Sequence, residues 1–295
     1  MNKVTLGITS YKRPEKLKKL LINLQKQSFK DFEILVSING YAELKKIDQA
    51  KTNAYQEIYN SNKYNKNINF KFQNENIGII ENHFYLLSNC KTEYFMWLAD
   101  DDQISDKCIE TLYKIMDEDK SIVSAVPVWE YVDSKDLHKL IIPSNFSQKN
   151  FFFRFISYCS YSDDAFFNSL HRTKMLKNCS FPGFWKINSK TVSRWAYLFI
   201  VDIIIQGRVY FCDNSDAKWI NYEYTKKYYN KDEADKIKRY LINLLKTINI
   251  YTVYFLKLFK WKKFIHAPLI LPFLVMFLIR DLLFGNKVKF KKYEK

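Results

Sequence analysis

The sequence predicts an α/β protein built on a mostly parallel sheet flanked by helices. Three observations carry that expectation. Short apolar runs alternate with segments of helical period through the first half of the chain, which is the pattern of βα units. Polar clusters follow directly on three of those runs, at Thr9–Arg13, Asn39-Gly40 and Asp100–Asp102. In open parallel sheets ligands bind beyond the carboxyl ends of the strands. Finally, the 295 residues are 47% hydrophobic and 17% aromatic, with only 6 Gly and 6 Pro. That composition can bury a core, and it excludes a disordered polar chain and a collagen-like or low-complexity one. The length suits one large domain, or one domain with an appendage.

Val4, Leu6 and Ile8 alternate with smaller residues and predict a strand over Val4–Ser10, broken at Lys12-Arg13-Pro14. Pro14 suits the first position of a helix, and Leu17, Leu20, Leu21 and Leu24 then recur at i, i+3, i+4, i+7. Phe32–Ile38 predicts a second strand ended by Asn39-Gly40, Ala42–Asn60 a polar helix, and Ile68–Gln73 a third strand followed by a loop at Asn74–Gly78. Ile80–Ser88 predicts a short helix and Tyr94–Ala99 a fourth strand. Ile109, Leu112, Tyr113 and Met116 mark the next helix, and Ile122–Val128 another strand. Beyond Trp129 the pattern loosens. Ala165–Leu170 predicts a strand running into His171-Arg172, Trp195–Gln206 a largely buried helix closed by Gly207, and Arg208–Cys212 a last strand. From Ile237 to Leu258 an alternating spacing of 4 and 3 predicts a long amphipathic helix. A boundary near Ile220 divides the chain into residues 1–220 and 221–295.

Lys and Arg number 47 against 31 Asp and Glu, a net charge of +16. Ten basic and two acidic residues between Lys257 and Lys295 supply half of that excess. Such a cluster suits a polyanion: nucleic acid, an anionic membrane or phosphate groups. No nucleic-acid module is recognisable, and the basic excess lies beside an apolar segment, so nucleic acid is not the expected partner. The five cysteines are odd in number and widely spaced, and the four histidines are scattered. That pattern argues against a disulfide framework or a zinc site and for a reducing compartment. No signal-peptide-like segment precedes the first strand, so the expected location is cytoplasmic.

Asp100-Asp101-Asp102 ends the apolar run Tyr94–Ala99. Three adjacent carboxylates repel one another, a cost that solvent or a bound cation removes. A hard cation such as Mg²⁺ or Mn²⁺ takes one or two carboxylates together with phosphate oxygens. The alternative is a solvated turn that also caps the following helix.

Four segments in order resemble the glycosyltransferase family 2 enzymes, which have a GT-A fold. They are Ile8-Thr9-Ser10-Tyr11-Lys12-Arg13-Pro14, the stretch Gln27–Val36, Asn74-Glu75-Asn76-Ile77-Gly78 with Asn82, and Leu98-Ala99-Asp100-Asp101-Asp102. The resemblance covers Lys3 to Met116 well and extends more loosely to about Asp213. It implies a metal-dependent, inverting transfer from a nucleotide-diphosphate sugar, with UDP-sugar the default, to a glycan or lipid-linked saccharide acceptor in cell-surface polysaccharide assembly. It further implies that Asp102 ligates Mn²⁺ or Mg²⁺. Asp100 and Asp101 would orient the donor or bind metal through water, with Asp100 the second candidate ligand. Thr9, Tyr11 and Arg13 would hold base and phosphates, beside Asn76, Gly78 and Asn82. Asn39 stands where the family commonly has an Asp contacting base or ribose.

An inverting transfer needs a carboxylate to take the acceptor proton. Where the family usually places an acidic pair, this chain reads Val192-Ser193-Arg194-Trp195-Ala196. Asp163 and Asp164 are the candidates for general base. Asp202, inside an apolar helix, reads as structural. Arg172 and Arg194 suit a phosphate, an acceptor or an ordinary salt bridge. The missing acid leaves a second reading, a non-catalytic family member that binds nucleotide or glycan.

Ile265–Ile279 is apolar apart from His266 and is flanked by lysines on both sides. Fifteen helical residues reach about 22 Å, short of a bilayer core of about 30 Å. The expectation is a helix lying in the membrane interface, drawn to anionic lipid by its lysines, with the protein peripheral on the inner face of the cell membrane. A membrane span and a buried core helix are the alternatives.

Overall fold

A computed structural model of the chain describes residues 2–132, 137–140, 147–161, 165–179, 195–221, 252, 257–258, 263, 266–284 and 290–292. At its centre β1 (Val4–Ser10) runs parallel to β2 (Phe32–Ile38) on one side and β4 (Tyr94–Ala99) on the other. β3 (Ile68–Phe72) extends the sheet beyond β2, also parallel. Past β4, the short β9 (Leu170–Arg172) inserts antiparallel before β6 (Ile122–Val126), and β10 (Arg208–Phe211) closes the edge parallel to β6. The result is a seven-stranded, mostly parallel sheet. β4 and β6 are apolar and almost wholly buried because helices cover both faces.

On one face lie α1 (Pro14–Gln25), α3 (Gln49–Asn62) and α5 (Cys108–Glu118), packed on Val4, Leu6 and Ile8 of β1 and on Met96 and Leu98 of β4. Leu17, Leu20, Leu21 and Leu24 form the buried stripe of α1, as their spacing requires. On the other face α4 (Ile79–Asn89), α7 (Thr173–Lys177) and α8 (Trp195–Gln206) pack on Phe95 and Trp97. α6 (Phe151–Tyr161) lies on α8, and α9 (Ala267–Phe284) lies on α6.

The expected helix over 42–60 is two, α2 (Tyr41–Ile47) and α3. Asp48 breaks it, because its carboxylate accepts the Lys51 N–H at 3.0 Å and so caps α3. The expected strand over 165–170 is a 3₁₀ turn, Ala165–Asn168, leading into β9. A strand would send Phe166 and Phe167 to opposite faces. The turn buries both in one aromatic cluster, with Phe167 stacked on Trp97 at 4.2 Å. The strand expected over 122–128 ends early at Pro127, which has no N–H to donate. The chain then enters a second sheet that the sequence did not announce. That sheet is ordered β12-β8-β7-β11-β5, from β5 (Asp102–Ile104), β7 (Val128–Val132), β8 (Leu137–Leu140), β11 (Lys218–Asn221) and β12 (Phe290–Lys292). β11 bridges β7 and β5, with Trp219 opposite Trp129 and Asn221 opposite Asp102.

All five cysteines are buried, and none forms a disulfide. Arg172 is structural: it donates to the carbonyls of Ile122 and Met116 and pairs with Glu93. Most of the helix expected over 237–258, together with Arg194, lies outside the described residues. Among the described residues no helix is long and apolar enough to cross a membrane.

Candidate functional site

β1, β2 and β4 end in register, with Thr9 opposite both Ser37 and Ala99. Their carboxyl ends therefore bring Thr9–Arg13, Asn39-Gly40 and Asp100–Asp102 to one edge of the sheet. After β1 the chain turns through Lys12, a non-glycine residue with φ 61°. Left-handed backbone of this kind is unfavourable for a side-chain-bearing residue and recurs at functional sites. The turn directs Arg13 back across the edge to the acids.

Arg13 reaches both neighbouring carboxylates, Nη2 to Asp100 Oδ1 and Nη1 to Asp101 Oδ2, each at 2.5 Å. Lys16 lies 3.8 Å from Asp101. Asp100 is buried, and its Oδ2 accepts the Ser10 hydroxyl at 2.6 Å. Ser10 has one proton, so the buried Tyr55 hydroxyl, 2.8 Å away, donates to Ser10 and itself accepts the Arg13 N–H at 2.9 Å. Burial pushes the Asp100 carboxyl up to about 6, against the Ser10 hydrogen bond and the Arg13 charge, which pull it down. Asp102 is 4% exposed and begins β5. The three aspartates line a cleft of about 260 Å³ with Lys16, Lys19 and Gln103.

The neighbouring cavity, about 430 Å³, is lined by Thr9, Ser10, Tyr11, Arg13, Asn39, Asn76, Gly78, Ile79 and Asn82. All seven non-acidic residues expected at a nucleotide site thus share one cavity, and Arg13 joins it to the acids. Its wall is an amide network. Asn39 Nδ2 donates to Asn76 Oδ1 at 2.8 Å, while its Oδ1 accepts the Ile77 N–H at 3.0 Å. Asn76 Oδ1 also takes the Gly78 N–H at 3.1 Å. Gly78 has φ 87°, a conformation that suits glycine. Deeper in, Ser37 donates to Asn82 Oδ1 at 2.5 Å and Gln73 donates to Ser37 at 3.1 Å. Asn39 therefore braces the 75–78 loop. An Asp there could accept from Ile77 but could not donate to Asn76.

The acidic donors are all oxygen, which suits Mg²⁺ or Mn²⁺. Among the described residues no three His, Cys, Asp or Glu side chains converge to hold a metal by themselves. This corner offers the carboxylates of Asp100, Asp101 and Asp102 as oxygen donors. Asp163 and Asp164 lie outside the described residues. Asp202 is fully buried in α8 and accepts from Lys257 Nζ at 2.6 Å, a core ion pair. Sequence reasoning missed Tyr55, Ser37 and Gln73 as site supports. Tyr55 comes from α3, and nothing local marks it apart from an ordinary helical aromatic.

The family model described as Glycosyl transferase family 2 matches residues 5–179. No curated protein matches the chain. In structure it is similar to S. aureus TarS 1–349, at 16% identity over 83% of this chain and 64% of that one, with a TM-score of 0.56. TarS 1–349 in complex with UDP-GlcNAc matches at 15% identity over 85% of this chain and 70% of that one, TM-score 0.56. Mannosyltransferase PcManGT from Pyrobaculum calidifontis, in complex with GDP-Man and Mn²⁺, matches at 11% identity over 96% and 76%, TM-score 0.54. This chain spans just under two thirds of the length of TarS 1–349. Likeness at such identities shows the fold, the GT-A arrangement of a mostly parallel sheet between helices.

Proposed function

This chain belongs to glycosyl transferase family 2, and from that premise we propose that it moves a sugar from a nucleotide-diphosphate sugar to a saccharide or lipid-linked acceptor. One observation carries the proposal: the polar cavity of Thr9, Tyr11, Arg13, Asn39, Asn76, Gly78 and Asn82 adjoins three carboxylates at the carboxyl ends of parallel strands. The cavity suits a nucleoside and the acid corner a metal-bound diphosphate. Structural neighbours that carry UDP-GlcNAc, or GDP-Man with Mn²⁺, support a donor of this class. The base is uracil in this reading.

A divalent ion at such a site offsets the charge that builds on the leaving diphosphate. Asp102 would hold it, with Asp100 as second ligand. Arg13 then exchanges its carboxylate partners for diphosphate oxygens. Tyr55 and Ser10 keep Asp100 oriented, and the amide network holds the 75–78 loop against the base. Asp163 or Asp164 takes the acceptor proton in an inverting displacement. Residues 1–220 form the transferase unit and residues 221–295 extend it.

Thermal unfolding with UDP, GDP, dTDP and CDP, each with and without Mn²⁺, tests the donor site. A ligand that binds only the native state raises the midpoint with its saturation. The expected result is a Mn²⁺-dependent rise with one nucleotide, UDP first. No rise with any of the four would sink the proposal. The absence of an acid over Val192–Ala196 favours one second reading, a member that binds nucleotide but transfers nothing. A metal-dependent shift without turnover on any acceptor would select it.

A further inference from the structure

We propose that the outer face of α9, together with Phe153 of α6, docks on an anionic membrane surface, with α9 lying flat in the interface. Ala267, Ile270, Leu274 and Phe277 occupy one stripe of α9 and are buried in the core that contains α6 and α8. A helix normally opposes such a stripe with polar residues. Here the opposite side is also apolar: Leu269 is 62% exposed, Met276 52% and Ile279 50%, with Phe273 and Val275 open beside them. The patch continues onto α6, where Phe152 meets Phe273 edge to face at 5.9 Å and Phe153 is 56% exposed. Contiguous apolar patches of this kind mark interaction sites.

Charge names the occupant. Residues 257–295 hold ten basic and two acidic residues on both sides of the helix in sequence; Lys257 is buried in its pair with Asp202, which leaves nine basic residues and a net +7. Lysines flanking an apolar helix complement the negative potential of an anionic leaflet, whereas a second copy of this chain would bring like charge to like. The buried stripe decides the orientation. Because α9 is fastened to the protein core from Ala267 to Phe277, only its outer side is free to enter lipid. The helix therefore lies in the interface and does not span. This inference is independent of the donor site, since lipid binding is read without nucleotide.

The test uses the full chain, sedimented with vesicles of phosphatidylcholine alone and of phosphatidylcholine with phosphatidylglycerol. Binding is expected only with the anionic lipid, and it should weaken as salt screens the lysines. Replacing the exposed Leu269 and Met276 together (L269E/M276E) should cut the affinity at least about tenfold, because the charges must enter the acyl boundary. F153S, on a different helix, should weaken binding several-fold on its own and covers the case in which the α9 variant fails to fold. The nucleotide-dependent midpoint shift should persist in both variants. The proposal is overturned by wild-type protein that ignores anionic vesicles, or by variants that bind as tightly as wild type. A wild-type dimer that L269E/M276E converts to monomer would also overturn it.

Discussion

The two corners of the candidate site are built on opposite principles. The acid corner holds its charges by ion pairs that bridge separate elements, from Arg13 to Asp100 and Asp101. The amide corner holds neutral groups by hydrogen bonds that satisfy both ends of Asn39 and place Ser37, Asn82 and Gln73 in one buried chain. A half-exposed guanidinium can change partners at little cost, because water screens the intermediate states. A buried amide cannot, because each unmade hydrogen bond costs about 1–3 kcal/mol. The difference teaches that one corner is suited to exchange partners as ligand enters, while the other supplies a fixed shape.

The largest expected effect breaks the acid corner. In Asp102→Asn, which keeps the shape of the carboxylate and removes its charge, we expect transfer to fall by about 10³, near 4 kcal/mol of transition-state stabilisation. Circular dichroism should be unchanged. Wild-type turnover in the D102N enzyme would remove the metal role from this residue.

Acid should separate the corner from the core beneath it. His171 is buried against Trp97, its Nε2 donates to the Phe167 carbonyl, and its Nδ1 has no hydrogen-bond partner. Burial holds its pKa down at about 4. A histidine with a lowered folded pKa stabilises above its unfolded pKa of about 6.5, and that stability is lost as pH falls from 6.5 to 4, by at most about 3 kcal/mol. Asp100 has the opposite sign. Its folded pKa is raised to about 6, so protonation between about pH 6 and 4 favours the native state. Denaturant melts from pH 7 to 4 should show net loss in wild type and a flatter profile in His171→Gln. Parallel profiles would remove His171 as the cause.

Next in size, the amide corner should fail by stability before chemistry. Asn39→Leu leaves the Ile77 N–H and the Asn76 carbonyl short of partners, for an expected loss of about 2–3 kcal/mol. Asn39→Asp keeps the acceptor and loses only the donor, so about 1 kcal/mol is expected, with the nucleotide shift retained. An unchanged midpoint of urea unfolding in Asn39→Asp would show that Asn39 does not brace the loop through its amide nitrogen, whereas equal losses in the two variants would place all of the bracing on that nitrogen.

The smallest effect lies between the corners. Tyr55→Phe removes the hydroxyl that links the Arg13 N–H to Ser10, worth about 1 kcal/mol of stability. It should also lower the Mn²⁺-dependent midpoint shift, since Asp100 loses the group that orients Ser10. A variant with the stability loss but an unchanged shift would confine Tyr55 to the fold.

Legibility follows the same division. The face carrying α1 and α5 was readable because each helix buries one stripe, and Leu17, Leu20, Leu21 and Leu24 display it. The opposite face was harder. α8 is apolar nearly all round, since sheet and helices surround it, so its period carries little information. The acids, together with Asn39, Asn76 and Gly78 of the amide corner, were visible as polar breaks after apolar runs, whereas Ser37 and Gln73, at strand positions, were not. Their shared position at one sheet edge follows from parallel register, which the βα alternation already implied.

By itself, then, the sequence determined the strands and helices of the first half, the parallel sheet, and the polar residues at its carboxyl edge. These depend on local periodicity and on the chirality of βα connections. Only the tertiary structure decided the second sheet, where β11 seats Asn221 opposite Asp102 across more than a hundred residues of chain. It alone joined Tyr55 to Ser10 and Asp202 to Lys257, and left the outer face of α9 open. Those pairings are non-local. They depend on which surfaces meet once the core has closed, and no window of sequence contains both partners.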